Sequence, residues 1–363
     1  MYKIYFLLVI AFAFSCNQNK SKVGEVIQEG YFECFDENLT QENGRPYTCE
    51  PSTVVFYDNQ IFVANDKDFP DGNSSLFSFG FVDEITCNSR TYYKNSLFYY
   101  IDKYESSSIT PDKKFLLFSS SYSYASTDSA NGEKYNTTIF VNSQNIEKGG
   151  ILHISNDSAM NSIDIKEQIV SALKSDKFPK GPGYLKIEGL TVIPGNKILF
   201  GVREIGDKYS DFDYAITILS ANYVVENEQI KLTGNIERVY DFIPTDTLGI
   251  SLPIGLSSIE YSPFDEQIYL VTSFEHGEDT KSIGAYLWYL SIEELNSGAK
   301  PHIVMADKET PLRFIHKIEG LTILDKNKVL VIADDDRVTG EGEPESSFRR
   351  KLNQAYWAVV KLK

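Results

Sequence analysis

Hydrophobic residues in this chain fall into short runs separated by polar turns, and the same run–turn–run unit returns along its length. Residues 187–202 read IEGLTVIPGNKILFGV and residues 318–333 read IEGLTILDKNKVLVIA, a near-copy 131 positions downstream. In each, an apolar run (Thr191–Ile193, Thr322–Leu324) meets a polar turn (Pro194–Lys197, Asp325–Lys328). A second run follows (Ile198–Phe200, Val329–Val331). Two β-prone runs around a turn of Asn, Asp, Gly and Pro predict a β-hairpin. Three weaker copies begin at Glu50, Glu105 and Ser257, so unit starts lie 55, 83, 69 and 62 residues apart. A supersecondary unit repeated at such spacing predicts a β-propeller, here an all-β ring of five blades, with six as the alternative.

Each hairpin is expected to supply the two inner strands of a blade. Third strands are expected at Ser75–Phe81, Thr137–Asn142, Tyr214–Ser220, Ala285–Ser291 and Ala355–Leu362. Fourth strands are expected at Ser96–Ile101, Gly150–Ser155, Ile236–Phe242 and His302–Ala306. The fifth unit lacks one. Glu25–Cys34 reads as a strand without a blade, so it is expected to complete the last blade and close the ring, which removes exposed sheet edges. An amphipathic stretch, Ile163–Leu173, predicts a surface helix that accounts for the longest spacing.

The repeat runs through the 363 residues with no linker dividing it, so 25–363 is expected to be one propeller domain and a monomer. At the N-terminus, Lys3 precedes an apolar stretch, Ile4–Phe14, too short to anchor in a bilayer. Ser15-Cys16 ends it, and a polar tether follows. This resembles a bacterial lipoprotein signal over 1–15, with lipidation at Cys16 and a tether over 16–24. It implies export and attachment to the cell envelope, the lipid being the sole membrane contact. Without Cys16, three cysteines remain: Cys34, Cys49 and Cys87. A Cys34–Cys49 disulfide would tie the closing strand to the first blade; three buried thiols are the alternative.

The net charge of −16 argues against nucleic acid, which demands basic patches. It suits a cation-binding protein or an exported one without further meaning. Counting sixteen residues from each unit start pairs Glu50 with Asp66, Glu188 with Glu204 and Glu319 with Asp335. The two remaining units pair Glu105 with Ser121 and Ser257 with Ser273. All five midpoints are turn residues, so the partners are expected to face each other across the hairpins and converge on one mouth of the channel. Adjacent carboxylates repel unless a cation, a proton or an Arg lies between them. Hard oxygen ligands suit Ca²⁺, or another divalent cation, on Glu50, Glu188, Glu319 and Asp334. The other reading is that each Glu before Gly-Leu is a repeated staple at the blade junction. Arg203 and Arg337 near the same ends could grip a phosphate or carboxylate of a substrate, or each form an ion pair with Glu204 or Asp336, which is the expectation for either one alone. His316 and His276 read as solvated loop residues, with a reach into the channel as the alternative for His316, three residues before Glu319, and the paired tyrosines (Tyr92-Tyr93, Tyr99-Tyr100) as strand packing or as a surface for sugars or proteins.

The phrases Lys186-Ile187-Glu188-Gly189-Leu190-Thr191 and Lys317-Ile318-Glu319-Gly320-Leu321-Thr322, with Ile332-Ala333-Asp334-Asp335-Asp336, resemble the esterase-like activity of phytase family. Gluconolactonase-like propellers have a similar Glu-Gly start. The resemblance implies a propeller with metal-assisted phosphoester or ester hydrolysis, Glu188 and Glu319 being channel acids and Asp334 and Asp335 their partners. One of Glu204, Asp335 or Asp66 would then act as general base. The alternative is a non-catalytic propeller that binds a ligand, a glycan or an envelope protein.

Overall fold

A computed structural model of the chain describes residues 21–82, 84–123, 132–154, 160–244, 253–275, 283–335 and 350–363, without the side chains of 86–89. Five antiparallel sheets follow one another around a ring. Blade one is β2 (Pro51–Tyr57), β3 (Gln60–Asn65), β4 (Leu76–Val82) and β5 (Glu84–Tyr92). Blade two is β6 (Tyr104–Ile109), β7 (Phe115–Ser120), β8 (Thr138–Asn142) and β9 (Asn145–Ile151). Blade three is β10 (Tyr184–Ile193), β11 (Lys197–Lys208), β12 (Asp211–Glu226) and β13 (Gln229–Asp241). Blade four is β14 (Gly255–Ser262), β15 (Gln267–Glu275) and β16 (Ile283–Ser291), edged by the short β17 (His302–Ile303) and β18 (Arg313–Phe314). Blade five is β19 (Ile318–Asp325), β20 (Lys328–Ala333) and β21 (Gln354–Leu362), completed by the N-terminal β1 (Gly24–Glu33). The ring is a five-bladed β-propeller closed by its first strand.

The inner strands β2, β6, β10, β14 and β19 pack side by side around the channel. Each is covered on both faces, so burial is nearly continuous along it; β14 is buried at every position. That is why these segments read as runs rather than as apolar–polar alternation. Five apolar clusters fill the five junctions between neighbouring blades. Hydroxyls at one level of the channel also join the blades: Ser108 accepts from the Val192 amide at 3.2 Å, Thr191 from Tyr261 at 3.0 Å and Thr322 from Phe56 at 2.9 Å.

The hairpin turns fall where the sequence placed them. Asp58 and Asn59 both have positive φ (51° and 58°), the backbone of a two-residue turn whose twist matches the strands it joins. The helix α1 (Ile163–Ala172) buries Ile165 and Ile169 against blades two and three; a shorter α2 (Ile292–Ser297) carries a capping box on Ser291 and Glu294. Cys34, just past β1, is disulfide-bonded to Cys49, just before β2, with Cα atoms 5.7 Å apart.

The outer strands differ from expectation. Ser96–Tyr100 is a 3₁₀ turn, not a strand, because the Asn95 side chain accepts the Leu97 amide at 2.9 Å and turns the chain. Blade one takes Glu84–Tyr92 as its fourth strand instead. Blade two takes Asn145–Ile151, upstream of the expected segment, and the fourth strand of blade four shrinks to two residues.

Candidate functional site

The acids occupy the channel mouth where inner strands begin and second strands end. Their placement follows from a bulge in every inner strand. In β10, Ile187 pairs with Val202 and Gly189 with Gly201, which leaves Glu188 extra. In β19, Ile318 pairs with Ala333 and Gly320 with Ile332, which leaves Glu319 extra. The same skip leaves Ser52, Glu105 and Ser257 unmatched in β2, β6 and β14. A bulge re-aims the side chain of the extra residue. Here it brings Glu105, Glu188 and Glu319 to the channel with 2–3 % exposure. The glycine after each repeated Glu is a consequence: a Cβ on Gly189 would stand 2.7 Å from Ile259 Cγ2, and one on Gly320 2.5 Å from Ile332 Cγ1.

The sixteen-residue pairing fails in blades three and five, where the ladders centre one residue before Asn196 and Asn327. Glu204 faces Lys186 across the ladder, not Glu188. Asp335 lies beyond the ladder and meets His316 and Lys317, not Glu319. Glu50 and Asp66 pair as expected, the Asp66 amide donating to the Glu50 carbonyl at 3.0 Å, and so do Ser257 and Ser273, whose hydroxyls are hydrogen-bonded at 2.5 Å. Even so, the position equivalent to Glu188 in blade one is Ser52, not Glu50.

Cations stand between the acids. Lys186 Nζ bonds Glu188 and lies 3.2 Å from Glu105. Arg203, 2 % exposed, puts Nη1 3.0 Å from Glu188 Oε2 and Nε 3.8 Å from Glu204. The same Nη1 donates to Ser257 and, at 2.9 Å, to Ser273. Blade four therefore has serines at the acid positions because a guanidinium reaches into that place. Lys317 Nζ lies 2.9 Å from Glu319, 3.2 Å from Glu275 and 3.6 Å from Asp334. On the blade-one side, Lys67 sits 3.0 Å from Glu50 and 3.3 Å from Asp66, while Lys103 sits 3.3 Å from Glu105 and 3.6 Å from Asp66.

The network sets the charge states. Burial pushes the Glu188 carboxyl up, against the pull of Arg203 and Lys186, and the net shift is upward. Burial also acts on Glu319, but Lys317, Lys186 and Arg203 outweigh it and hold that carboxyl at about 2. Lys186 loses solvation, yet Glu105 and Glu188 hold its ammonium far above the usual lysine range. Burial, with Asp66 beside it, raises Glu50.

Two features escaped the sequence. His316, expected in solvent, is 5 % exposed; Nδ1 is 2.6 Å from Asp335 Oδ2 and the ring stacks on Tyr356 with centroids 3.7 Å apart. Its position three residues before Glu319 was the available signal. Arg350, 4 % exposed, donates to the carbonyls of Cys49 (2.9 Å) and Gln354 and lies 3.8 Å from Asp334. Nothing in its surroundings in sequence marked it. Arg337, Asp336, His276 and Cys16 lie outside the described residues, as does the Cys87 side chain.

Among the described residues, no group of three or more His, Cys, Asp or Glu side chains is arranged to hold a metal ion. Glu188, Glu319, Glu50 and Asp334 each have an ammonium or guanidinium partner where a divalent cation would have to stand. This donor set suits those partners rather than Ca²⁺, which takes six or more oxygens. Of the two expectations for Arg203, the geometry favours the ion pair over a grip on substrate: it lies 3.8 Å from Glu204 and 3.0 Å from Glu188 and donates to Ser257 and Ser273.

No protein-family model and no curated protein sequence matches the chain. Among solved structures, it is similar to a structural-genomics protein of unknown function from Bacteroides thetaiotaomicron (8 % identity, TM-score 0.41, covering 94 % of this chain and 76 % of that one). It is also similar to an N-acetylgalactosamine deacetylase from F. plautii in complex with blood group B trisaccharide (10 %, 0.45, 90 % and 93 %). A third is the PQQ-bound aldose sugar dehydrogenase of Streptomyces coelicolor (8 %, 0.37, 94 % and 98 %). The propeller assignment rests on sheet order and ring closure, not on these likenesses.

Proposed function

We propose that this is an exported propeller, lipid-anchored through Cys16, that binds a small anionic molecule at the acid-bearing mouth of its channel. A carboxylate or a phosphoryl group is the chemistry that fits. The observation that carries this reading is the order of exposure. The Glu50, Asp66 and Glu105 side chains are 9, 8 and 2 % exposed, while Lys67 and Lys103 above them are 47 and 28 % exposed. An arriving ligand meets ammonium groups first, with the carboxylates beneath fixing them. Lysines held this way are point-charge binders of phosphate and carboxylate. The chain's overall negative charge works against long polyanions and leaves a local site for a small one.

Calorimetric titration with inorganic phosphate and with citrate tests this. Saturable binding should weaken by about tenfold or more, about 1.4 kcal/mol, when Lys67 and Lys103 are both replaced by Ala. Equal affinity in wild type and double variant, or no binding of either anion, would refute it. Export and anchoring are tested by mass analysis of the mature N-terminus, which should be a lipidated Cys16.

The second reading is hydrolysis of a bound ester or phosphoester, which the resemblance to the esterase-like activity of phytase family favours. The His316–Asp335 pair is the observation behind it: a buried imidazole oriented by a carboxylate is the usual form of a general base. Glu204 and Asp66, the other expected bases, are engaged by Tyr184 and Arg203 and by Lys67 and Lys103. A screen of aryl phosphates and aryl esters with His316→Gln as control would detect it.

A further inference from the structure

The opposite mouth of the channel, ringed by the hairpin turns, contains a cavity of about 350 Å³. Its position follows from its lining: Asp58, Lys113 and Phe264 belong to the turns of blades one, two and four. Phe56, Tyr57 and Tyr261 provide further aromatic wall. The volume is that of a small-molecule pocket. Glu260 of β14 lines it too, although the residue is only 3 % exposed.

Glu260 is anomalous at its level of the channel. It stands three residues past the bulge of its strand, where Ser108, Thr191 and Thr322 stand in blades two, three and five. Those hydroxyls bind the amide of a neighbouring inner strand. A fourth hydroxyl would serve the same purpose in blade four at little cost. The chain has a carboxyl there instead, and its Oε2 has no hydrogen-bond partner among the described residues. No ion pair reaches it among the described residues, Lys113 included. A buried carboxyl without a counter-ion is costly, so its presence beside a cavity asks for one. Burial pushes the acid well above its usual range, with the Tyr261 amide and Ser108 hydroxyl opposing only in part. A bound cation would reverse that, and aromatic faces around it would add cation–π attraction.

We propose that this cavity is a second binding site, separate from the anion site, that takes the ammonium group of a small organic amine with Glu260 as counter-ion. The aromatic walls would receive the amine's apolar part.

The test is calorimetric titration of benzylammonium chloride into the protein, with benzyl alcohol as its neutral match. Expected is saturable one-site binding of the amine, at least about tenfold tighter than the alcohol. Glu260→Gln should weaken the amine by about tenfold or more and leave the alcohol unchanged. Phe264→Ala, whose ring is 48 % exposed and outside the core, should weaken the amine measurably and keeps the test valid if the Gln variant does not fold. Equal binding of amine and alcohol, an unaffected Glu260→Gln variant, or no saturation by the amine would overturn the proposal. Phosphate binding at the other mouth should be the same in all of these variants.

Discussion

Arg203 Nη1 stands 3.0 Å from Glu188 Oε2 in a part of the channel that solvent hardly reaches. The contact links blade three to blade four, because the same nitrogen donates to Ser257 and Ser273. Removing one partner of a buried pair is far worse than removing both, since the survivor keeps its charge and loses its counter-ion. Arg203→Met should therefore destabilise the fold by about 3–5 kcal/mol in urea unfolding. Adding Glu188→Leu to that variant should recover part of the loss. A double variant less stable than Arg203→Met would show that the pair is not the reason for the loss.

The disulfide ties the closing strand to blade one across a separation of 15 residues. A loop of that length corresponds to about 3 kcal/mol. Reduction should lower the melting temperature, and Cys34→Ser with Cys49→Ser should lower it to the same value with or without reductant. The transition should begin at blade five, where β1 is the outer strand; hydrogen exchange of the β21 amides reads this directly.

Two buried acids should give opposite pH dependence. Glu319 is held down at about 2. Its folded form binds fewer protons than the unfolded chain between that value and the ordinary Glu value near about 4.3, so its contribution is complete above that window and is lost as pH falls through it. Glu260 is pushed up. Its folded form binds more protons, so stability is complete below about 4.3 and falls as pH rises toward the folded value. Denaturant titrations from acid to neutral pH should show the Glu319→Gln deficit growing with pH. Over the same range Glu260→Gln should gain on wild type. Parallel curves for either variant would mean that its group does not titrate differently in the two states.

The hydroxyl joints between inner strands should each contribute about 1 kcal/mol. Thr191→Val keeps the shape, removes the acceptor for Tyr261 and leaves that amide buried. Thr322→Val does the same to Phe56. The two sites lie at different junctions, so their losses in unfolding free energy should add; strong non-additivity would imply a shared joint.

The repeat, the five hairpins and the closing strand were legible because inner strands buried on both faces leave short β-branched runs, bounded by turn residues and repeated, where a buried helix would leave a longer one. The fourth strands were legible only in part: Ile236–Phe242 falls on β13 and His302 on β17, but an edge strand faces solvent and its pattern is weak, so bounds shifted in blade two and Asn95 turned one aromatic run into a 3₁₀ turn. The acids at the mouth were found, but of their three expected pairs one formed, Glu50 with Asp66. The count centres the turns on Asn196 and Asn327, but the ladders centre one residue earlier, as Ile193–Lys197 and Ile323–Val329 show, so Glu204 and Asp335 are displaced from the expected partners, and a bulge then lifts Glu188 and Glu319 out of the ladder. The Gly after Glu188 and Glu319 was the mark of that bulge. Glu260 was passed over because it lies inside a run, where a single acid reads as an interruption rather than a site.

Lys186, Arg203 and Lys317 stand against the glutamates of the bulge ring, so these are expected to be neutralised without a metal ion. The direct test is elemental analysis of the purified protein, coupled to its melting temperature in EDTA and in excess Ca²⁺. No stoichiometric metal and the same melting temperature in both are the expected results. Stoichiometric divalent metal, with a melting temperature that falls in EDTA and returns with Ca²⁺, would contradict this and restore Glu188 and Glu319 as ligands.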